Sequence, residues 1–317
     1  MKTVALGPTD LKVSRLSYGG MRLSPSWEPE KVSADDIERG IRMLESAVEA
    51  GYTFIDHADI YGGTLAETIH GLAVERHPEW RDRLVVATKC GIRWEDEPQG
   101  APHRYDLGAD YIRESVDGSL RRLKLGRIDL YQLHRPDWLA DPADIASALV
   151  EIRRAGKVRH FGVSNFRPSL VRALQSALPF PLVSNQVEIH FLRLEPFEDG
   201  TLDQCLEMKM TPLAWSPLAG GRLAAALDPT AKPPVAAADQ AAVLRLQRVL
   251  ADVAGQYGVT PLAILLAWQM RHPSGIIPII GTTSAGRMRE AARAADIELD
   301  RESWYNILLA ARGQKLP

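Results

Sequence analysis

Four side chains in this sequence could together move a proton to an oxygen: Asp56, Tyr61, Lys89 and His134. Taken singly, each has an ordinary reading as a helix cap, a core phenol, a solvated cation or a packed imidazole. Their placement changes this. Asp56, Lys89 and His134 each end a short apolar run that reads as a strand, and Tyr61 follows Asp56 by five positions. A free tyrosine, with a pKa of about 10, is a poor proton donor near neutrality. A neighbouring ammonium favours the phenolate and lowers that value, and a carboxylate holds the ammonium in place. Asp56, Lys89 and Tyr61 therefore form a sensible proton-transfer chain. His134 is left to orient and polarise the oxygen.

These residues meet only if their strands lie side by side with the same ends up. Parallel strands run about 4.8 Å apart, so residues ending successive strands share one mouth. The pattern supplies such strands: short β-branched runs alternate with stretches of helical period along the chain. The first helix is expected over 34–50, with Ile37, Ile41, Leu44 and Val48 on one face, Ser33 as its cap and Gly51 as its stop. A second is expected over 110–125, closed by Gly126, and others near 144–155 and 302–311. Strands are expected at 16–19, 52–56, 84–89, 128–133, 158–163, 182–187, 211–214 and 275–280. Eight strand–helix units in 317 residues predict an α/β fold, a (β/α)8 TIM barrel forming a single domain over 1–317. An open dinucleotide-binding sheet would place G-x-G-x-x-G after its first strand, and none stands there. Gly7-Pro8-Thr9-Asp10, between two short apolar runs, predicts an N-terminal β-hairpin closing the barrel floor. Two Gly- and Pro-rich loops, 91–106 and 218–239, follow strand ends on the face where barrels place their chemistry.

Composition narrows the function classes. The formal net charge is −2, with 38 Lys+Arg against 40 Asp+Glu, so no clustered cationic character points to nucleic acid. Apolar residues at 45% exclude a disordered chain. Two cysteines, Cys90 and Cys205, cannot build a disulfide framework. No apolar run approaches the roughly 20 residues of a membrane helix. A soluble cytoplasmic monomer acting on a small molecule is the expectation. Asp56-His57-x-Asp59 invites a metal reading, but the first strand, Leu16-Ser17-Tyr18-Gly19, offers no ligand, so no metal is expected.

Phe54-Ile55-Asp56-His57-Ala58-Asp59-Ile60-Tyr61-Gly62 resembles the F-x-D-T-A-x-x-Y-G segment of the aldo-keto reductase superfamily. Ala87-Thr88-Lys89, Tyr131-Gln132-Leu133-His134 and Gly156-Lys157-Val158-Arg159-His160-Phe161-Gly162-Val163-Ser164-Asn165-Phe166 resemble later motifs of that family, in its order. The resemblance, carried from about residue 16 to 291, implies reduction of an aldehyde or ketone with NADP(H). It makes Tyr61 the general acid, supported by Lys89 and Asp56, with His134 placing the carbonyl. It assigns Ser164, Asn165 and Gln186 to the nicotinamide amide, and Trp215, followed by Ser216 and Pro217, to stacking on the ring. Gly20, Met21 and Arg22 match the turn that approaches the cofactor, and Leu218 and Gly220 begin the loop over its pyrophosphate.

Ile280, Gly281, Thr282, Arg287 and Glu290 match the segment that holds the 2′-phosphate. Many members carry Lys at the position of Gly281 and Asn at that of Ala291, so use of NAD(H) stays open beside NADP(H). Trp27, Trp94 and Trp138 fall in or near loops above the barrel and are expected to wall the substrate pocket. The resemblance also admits a different class of function, an NADPH-binding regulatory subunit with little turnover, like the potassium-channel β-subunits.

Overall fold

The computed structural model describes residues 1–223, 227 and 237–316. Near the N-terminus, β1 (Thr3–Ala5) and β2 (Lys12–Ser14) pair antiparallel. Eight further strands close a parallel barrel: β3 (Ser17–Gly19), β4 (Phe54–Asp56), β5 (Val85–Cys90), β8 (Ile128–Leu133), β9 (Val158–Ser164), β10 (Leu182–Glu188), β11 (Thr211–Trp215) and β12 (Ile277–Ile280). They follow one another round the ring in chain order, and β12 returns to β3 through Ile280↔Tyr18. Helices α1 (Ala34–Glu49), α2 (Leu65–Arg76), α3 (Trp80–Arg83), α4 (Ala109–Leu123), α5 (Pro142–Arg154), α6 (Pro168–Ala177), α7 (Thr201–Glu207), α8 (Ala237–Tyr257), α9 (Pro261–Met270), α10 (Ala285–Ala292) and α11 (Arg301–Arg312) complete the fold. This is the (β/α)8 barrel read from the alternation of strands and helices.

Period-two alternation along the strands fixes what fills the ring. Phe54, Val85, Ala87, Leu130, Leu213, Ile277 and Ile279 form an apolar cluster together with Leu6, Leu11 and Val13. The last three belong to the N-terminal hairpin, so the hairpin plugs the floor. One layer up, the contributions become polar: Asp56, Lys89, Gln132, Ser164 and Gln186 are all at most 2% exposed. Gly162 is required inside the ring, because a Cβ there would stand 2.1 Å from Ser184 Oγ. The most apolar helix, α9, is buried from Ala263 to Met270, and among the described residues no single helix is long and apolar enough to cross a membrane.

Element ends follow local chemistry. Ser33 accepts from the Asp36 amide while Asp36 accepts from the Ser33 amide, a reciprocal capping box that starts α1. Gly51, at φ +91°, turns the chain away after it. Helix α4 ends earlier than its sequence suggests. Lys124, not Gly126, takes the left-handed turn at φ +55°, and the Leu125 amide donates back to Leu120 O while its side chain packs on the core. The loop expected over 91–106 contains a small antiparallel hairpin, β6 (Ile92–Arg93) with β7 (Arg104–Tyr105). Two-residue strands are too short to show alternation. In the loop expected over 218–239, a 3-10 turn forms at Ala219–Gly221, while Pro233-Pro234 lies outside the described residues.

Candidate active site

Strand registers bring the three polar strand ends together. Asp56 pairs across from Ala87, and Lys89 from Gln132, so the carboxylate of β4 and the ammonium of β5 meet just above the apolar layer. Lys89 Nζ lies 2.7 Å from Asp56 Oδ2 and donates to His57 O at 2.6 Å. Tyr61 Oη stands 3.5 Å from the same nitrogen. One ammonium therefore joins the carboxylate to the phenol. His134 begins the turn after β8, tied by its amide to Cys90 O at 2.7 Å, and its ring sits 6.0 Å from that of Tyr61.

Burial and charge set the protonation states. Burial alone would lower the Lys89 pKa, but the Asp56 carboxylate foremost, with the Tyr61 oxygen beside it, reverses this and holds it above the ordinary lysine value, so it stays an ammonium. Tyr61 departs from the sequence expectation. Burial raises its phenol above 10, and Lys89 offsets only part of that rise, because desolvation of a phenolate costs more here than one ammonium at 3.5 Å returns. A phenol kept protonated is the form a proton donor needs. His134 is driven well below its usual value by burial first, then by Lys89 and Arg135, and so is a neutral imidazole.

The polar layer holds residues that sequence reading missed. Gln132 lies two positions before His134 on one strand face. It donates to Asp56 Oδ1 at 3.4 Å and accepts from Ser184 Oγ at 3.2 Å. The period of two was the available signal. Arg135, directly after His134, lines a cavity of about 390 Å³ with Asn165, Glu188 and Trp215, and its guanidinium lies 5.6 Å from the Trp215 ring centroid. Nothing in the motif spacing marked it.

The residues matched to a nicotinamide cluster at the ends of β9, β10 and β11. Asn165, at φ +61°, donates to His134 O at 3.2 Å and to Ser164 Oγ at 2.9 Å, and accepts from Trp215 Nε1 at 3.0 Å. Gln186 Nε2 donates to Asp56 Oδ1 at 2.8 Å, so it belongs to the carboxylate's shell as well. Ser216 follows at φ +48°, buried Pro217 accepts from Gln269 at 2.9 Å, and Leu218 leads to Gly220 at φ +68°. Gly20, Met21 and Arg22 form a 3-10 turn directly after β3, with Met21 and Arg22 exposed. At the other end Ile280 closes β12, Gly281 and Thr282 lead into α10, and Ser284 caps that helix. Arg287 and Glu290 lie on α10, the arginine exposed.

These groups fit a nicotinamide dinucleotide. A hydroxyl and two carboxamides face the mouth beside an indole, and a Cβ built on Gly220 or Gly281 would meet nothing within 4 Å, which leaves room for close approach. Of the three tryptophans, Trp27 packs edge-on to Tyr61 at 6.3 Å and to Trp94 at 5.6 Å, forming one wall. Trp138 stands apart from that wall at 96% exposure.

The model of the Aldo/keto reductase family matches residues 15–308. The chain is 40% identical over 318 residues to a 6-dehydroglucose reductase of Novosphingobium aromaticivorans, covering 98% of this chain and 96% of that one. It is 36% identical over 318 residues to the oxidoreductase YdhF of Escherichia coli, covering the whole of both. Among solved structures it is similar to the thermostable aldo-keto reductase Tm1743, solved with the inhibitor epalrestat, at a TM-score of 0.81 and 26% identity, covering 98% of this chain and 100% of that one. Matched across nearly its entire length by family, relatives and fold, the chain belongs to the aldo/keto reductase family.

Proposed function

We propose that this protein reduces an aldehyde or ketone to the alcohol with NADP(H), Tyr61 serving as the proton donor. The observation that carries this reading is the buried Asp56–Lys89 pair, at 2.7 Å, with the Tyr61 hydroxyl 3.5 Å from its ammonium. When bound, the cofactor would supply hydride chemistry, and the protein supplies the matching proton. Ser164, Asn165 and Gln186 would hold the carboxamide of its ring, with Trp215 beside them. His134, neutral and next to Tyr61, orients the carbonyl oxygen toward the phenol. As negative charge develops on that oxygen, Tyr61 Oη releases its proton to it, and Lys89 stabilises the phenolate left behind. Asp56, fixed by Gln186 and Gln132, keeps the ammonium in place.

Arg287 and the Thr282 hydroxyl favour the 2′-phosphate of NADP(H), since a guanidinium grips phosphate through paired hydrogen bonds. Gly281 supplies no charge there, which leaves NAD(H) as a weaker second cofactor. Two relatives bear the name 6-dehydroglucose reductase. A small, hydroxyl-rich aldehyde is accordingly the substrate class we assign.

Parallel oxidation assays with NADPH and NADH, over a panel of sugar aldehydes, aromatic aldehydes and ketones, test the reading. Turnover is expected with NADPH and a sugar aldehyde and is expected to vanish in Tyr61→Phe. Tight cofactor binding with no turnover on any carbonyl would point instead to a regulatory subunit.

A further inference from the structure

Because strand residues alternate faces, Lys89 points into the mouth while Thr88 and Cys90 point outward, under α2 and α4. Behind them lies a second buried polar network that the proposed chemistry does not use. Its centre is Asp59, which sits between Asp56 and Tyr61 in the chain and is 6% exposed. Ser115 Oγ donates to Asp59 Oδ2 at 2.8 Å and Tyr111 Oη donates to the same oxygen at 3.2 Å, both from α4. Tyr131 Oη of β8 donates in turn to Ser115 Oγ at 2.9 Å. The Asp59 amide donates to Lys89 O at 2.9 Å, which ties the turn directly to the strand that carries the ammonium. Asp59 Oδ1 is buried with no partner among the described residues. An incompletely satisfied carboxyl is costly to bury, so its place here calls for a reason.

Tyr111 reaches in a second direction. Its hydroxyl lies 3.4 Å from Ile92 O, and the Arg93 guanidinium sits 4.6 Å from its ring centroid. Both residues belong to the β6–β7 hairpin. The next residue, Trp94, packs on Trp27, and Trp27 packs on Tyr61. Asp59 is thus joined to Tyr61 twice: by two steps of chain, and round the outside through Tyr111, the hairpin and the tryptophan pair.

We propose that Asp59 is a positioning residue that clamps the Asp56–Tyr61 turn from behind, and that Tyr111 is the joint through which this anchor also sets the substrate-facing hairpin. The inference rests on Tyr61 being the proton donor. It separates two kinetic quantities. Loosening the turn moves the donor and lowers kcat, whereas loosening the hairpin moves the wall and raises KM.

Steady-state kinetics with NADPH and one reactive aldehyde, together with cofactor titration, test it. A misplacement of about 1 Å costs on the order of 100-fold in rate. Asp59→Ala is therefore expected to lose about 10- to 100-fold in kcat, with KM and cofactor affinity within about threefold of wild type. Asp59→Asn, whose amide oxygen still accepts from Ser115 and Tyr111, is expected to recover most of that loss. Tyr111→Phe, which removes a donor to Asp59 and the hairpin contact together, is expected to raise KM about five- to tenfold and to lower kcat as far as the loss of the Ser115 donor does. Wild-type kcat in Asp59→Ala, or equal losses of kcat and cofactor affinity, overturns the proposal. Should Asp59→Ala not fold, Ser115→Ala removes one donor alone, and an unchanged kcat there overturns the proposal equally. Tyr61→Phe measured alongside separates the claims: if it stays active, the donor reading fails, whereas an inactive Tyr61→Phe beside a wild-type Asp59→Ala removes only the anchor.

Discussion

At the scale of single residues, the candidate chemistry depends on one buried ammonium. Lys89 is wholly buried, yet Asp56 and Tyr61 keep its pKa above the ordinary lysine value. Removing the amine leaves the Tyr61 phenol raised by burial with nothing to stabilise its anion. Lys89→Met is therefore expected to lower kcat by about 10²- to 10⁴-fold, the usual worth of a positioned proton donor, in single-turnover assays at pH 7. A loss under tenfold would show that the phenol needs no partner. Asp56→Asn acts differently, since it leaves a buried cation without its counter-ion. Breaking a buried pair this way costs about 3–5 kcal/mol, so its denaturant midpoint should fall clearly. An unchanged midpoint would mean that His57 O, Tyr61 Oη and the remaining amide oxygen at position 56 suffice to hold the ammonium.

At the scale of elements, the turn after β3 is set by what lies behind it. A Cβ on Gly20 would stand 2.4 Å from the His57 ring, so His57 acts as a backrest for Gly20–Arg22. The His57 ring meets His70 through Nε2 and Nδ1 at 3.0 Å. Gly20→Ala is expected to cost about 1–3 kcal/mol by overpacking. The same change in a His57→Ala background should cost within about 0.5 kcal/mol of nothing, because the clashing ring is gone. Equal costs in both backgrounds, measured by denaturant unfolding, would show that the turn is strained for another reason.

At the scale of the whole molecule, the buried histidines govern how stability follows pH. His57 and His134 are held well below the usual histidine value and His70 at about 4, each by burial first. The unfolded chain protonates them near pH 6.5. For a depressed group the stabilisation is complete above the unfolded value and is lost as pH falls below it, at about 1.4 kcal/mol per pH unit per residue. Asp59, pushed up to about 7 by burial and by Glu67, works the other way, because the folded state keeps a proton there that the unfolded state releases above 3.8. His160, His190 and His272 are lowered by burial as well, so the depressed histidines outnumber the one raised carboxyl and unfolding takes up protons below pH 6.5. Stability should therefore fall as the pH drops below 6.5. Urea unfolding from pH 7.5 to 5 checks this, and a flat profile would show that the histidines accept protons while buried.

Most of the architecture and the four central residues were legible in the chain itself. Strand–helix alternation is a local signal, and residues ending parallel strands must share a mouth whatever the details. Ser33 and Gly51 were readable because caps act within one turn of backbone. Three things were decided only by the fold. The net rise in the Tyr61 pKa depends on how much water the closed site excludes, which no spacing encodes. The bond from Gln186 to Asp56 depends on the register across a barrel that joins residues 130 positions apart. The anchor behind Asp59 depends on α4 packing across the outward faces of β5 and β8, so Ser115 and Tyr111 read in sequence as ordinary helix positions. Sequence records which groups are available and on which face of an element they stand. Distances, desolvation and partner choice arise only when long-range packing brings those faces together.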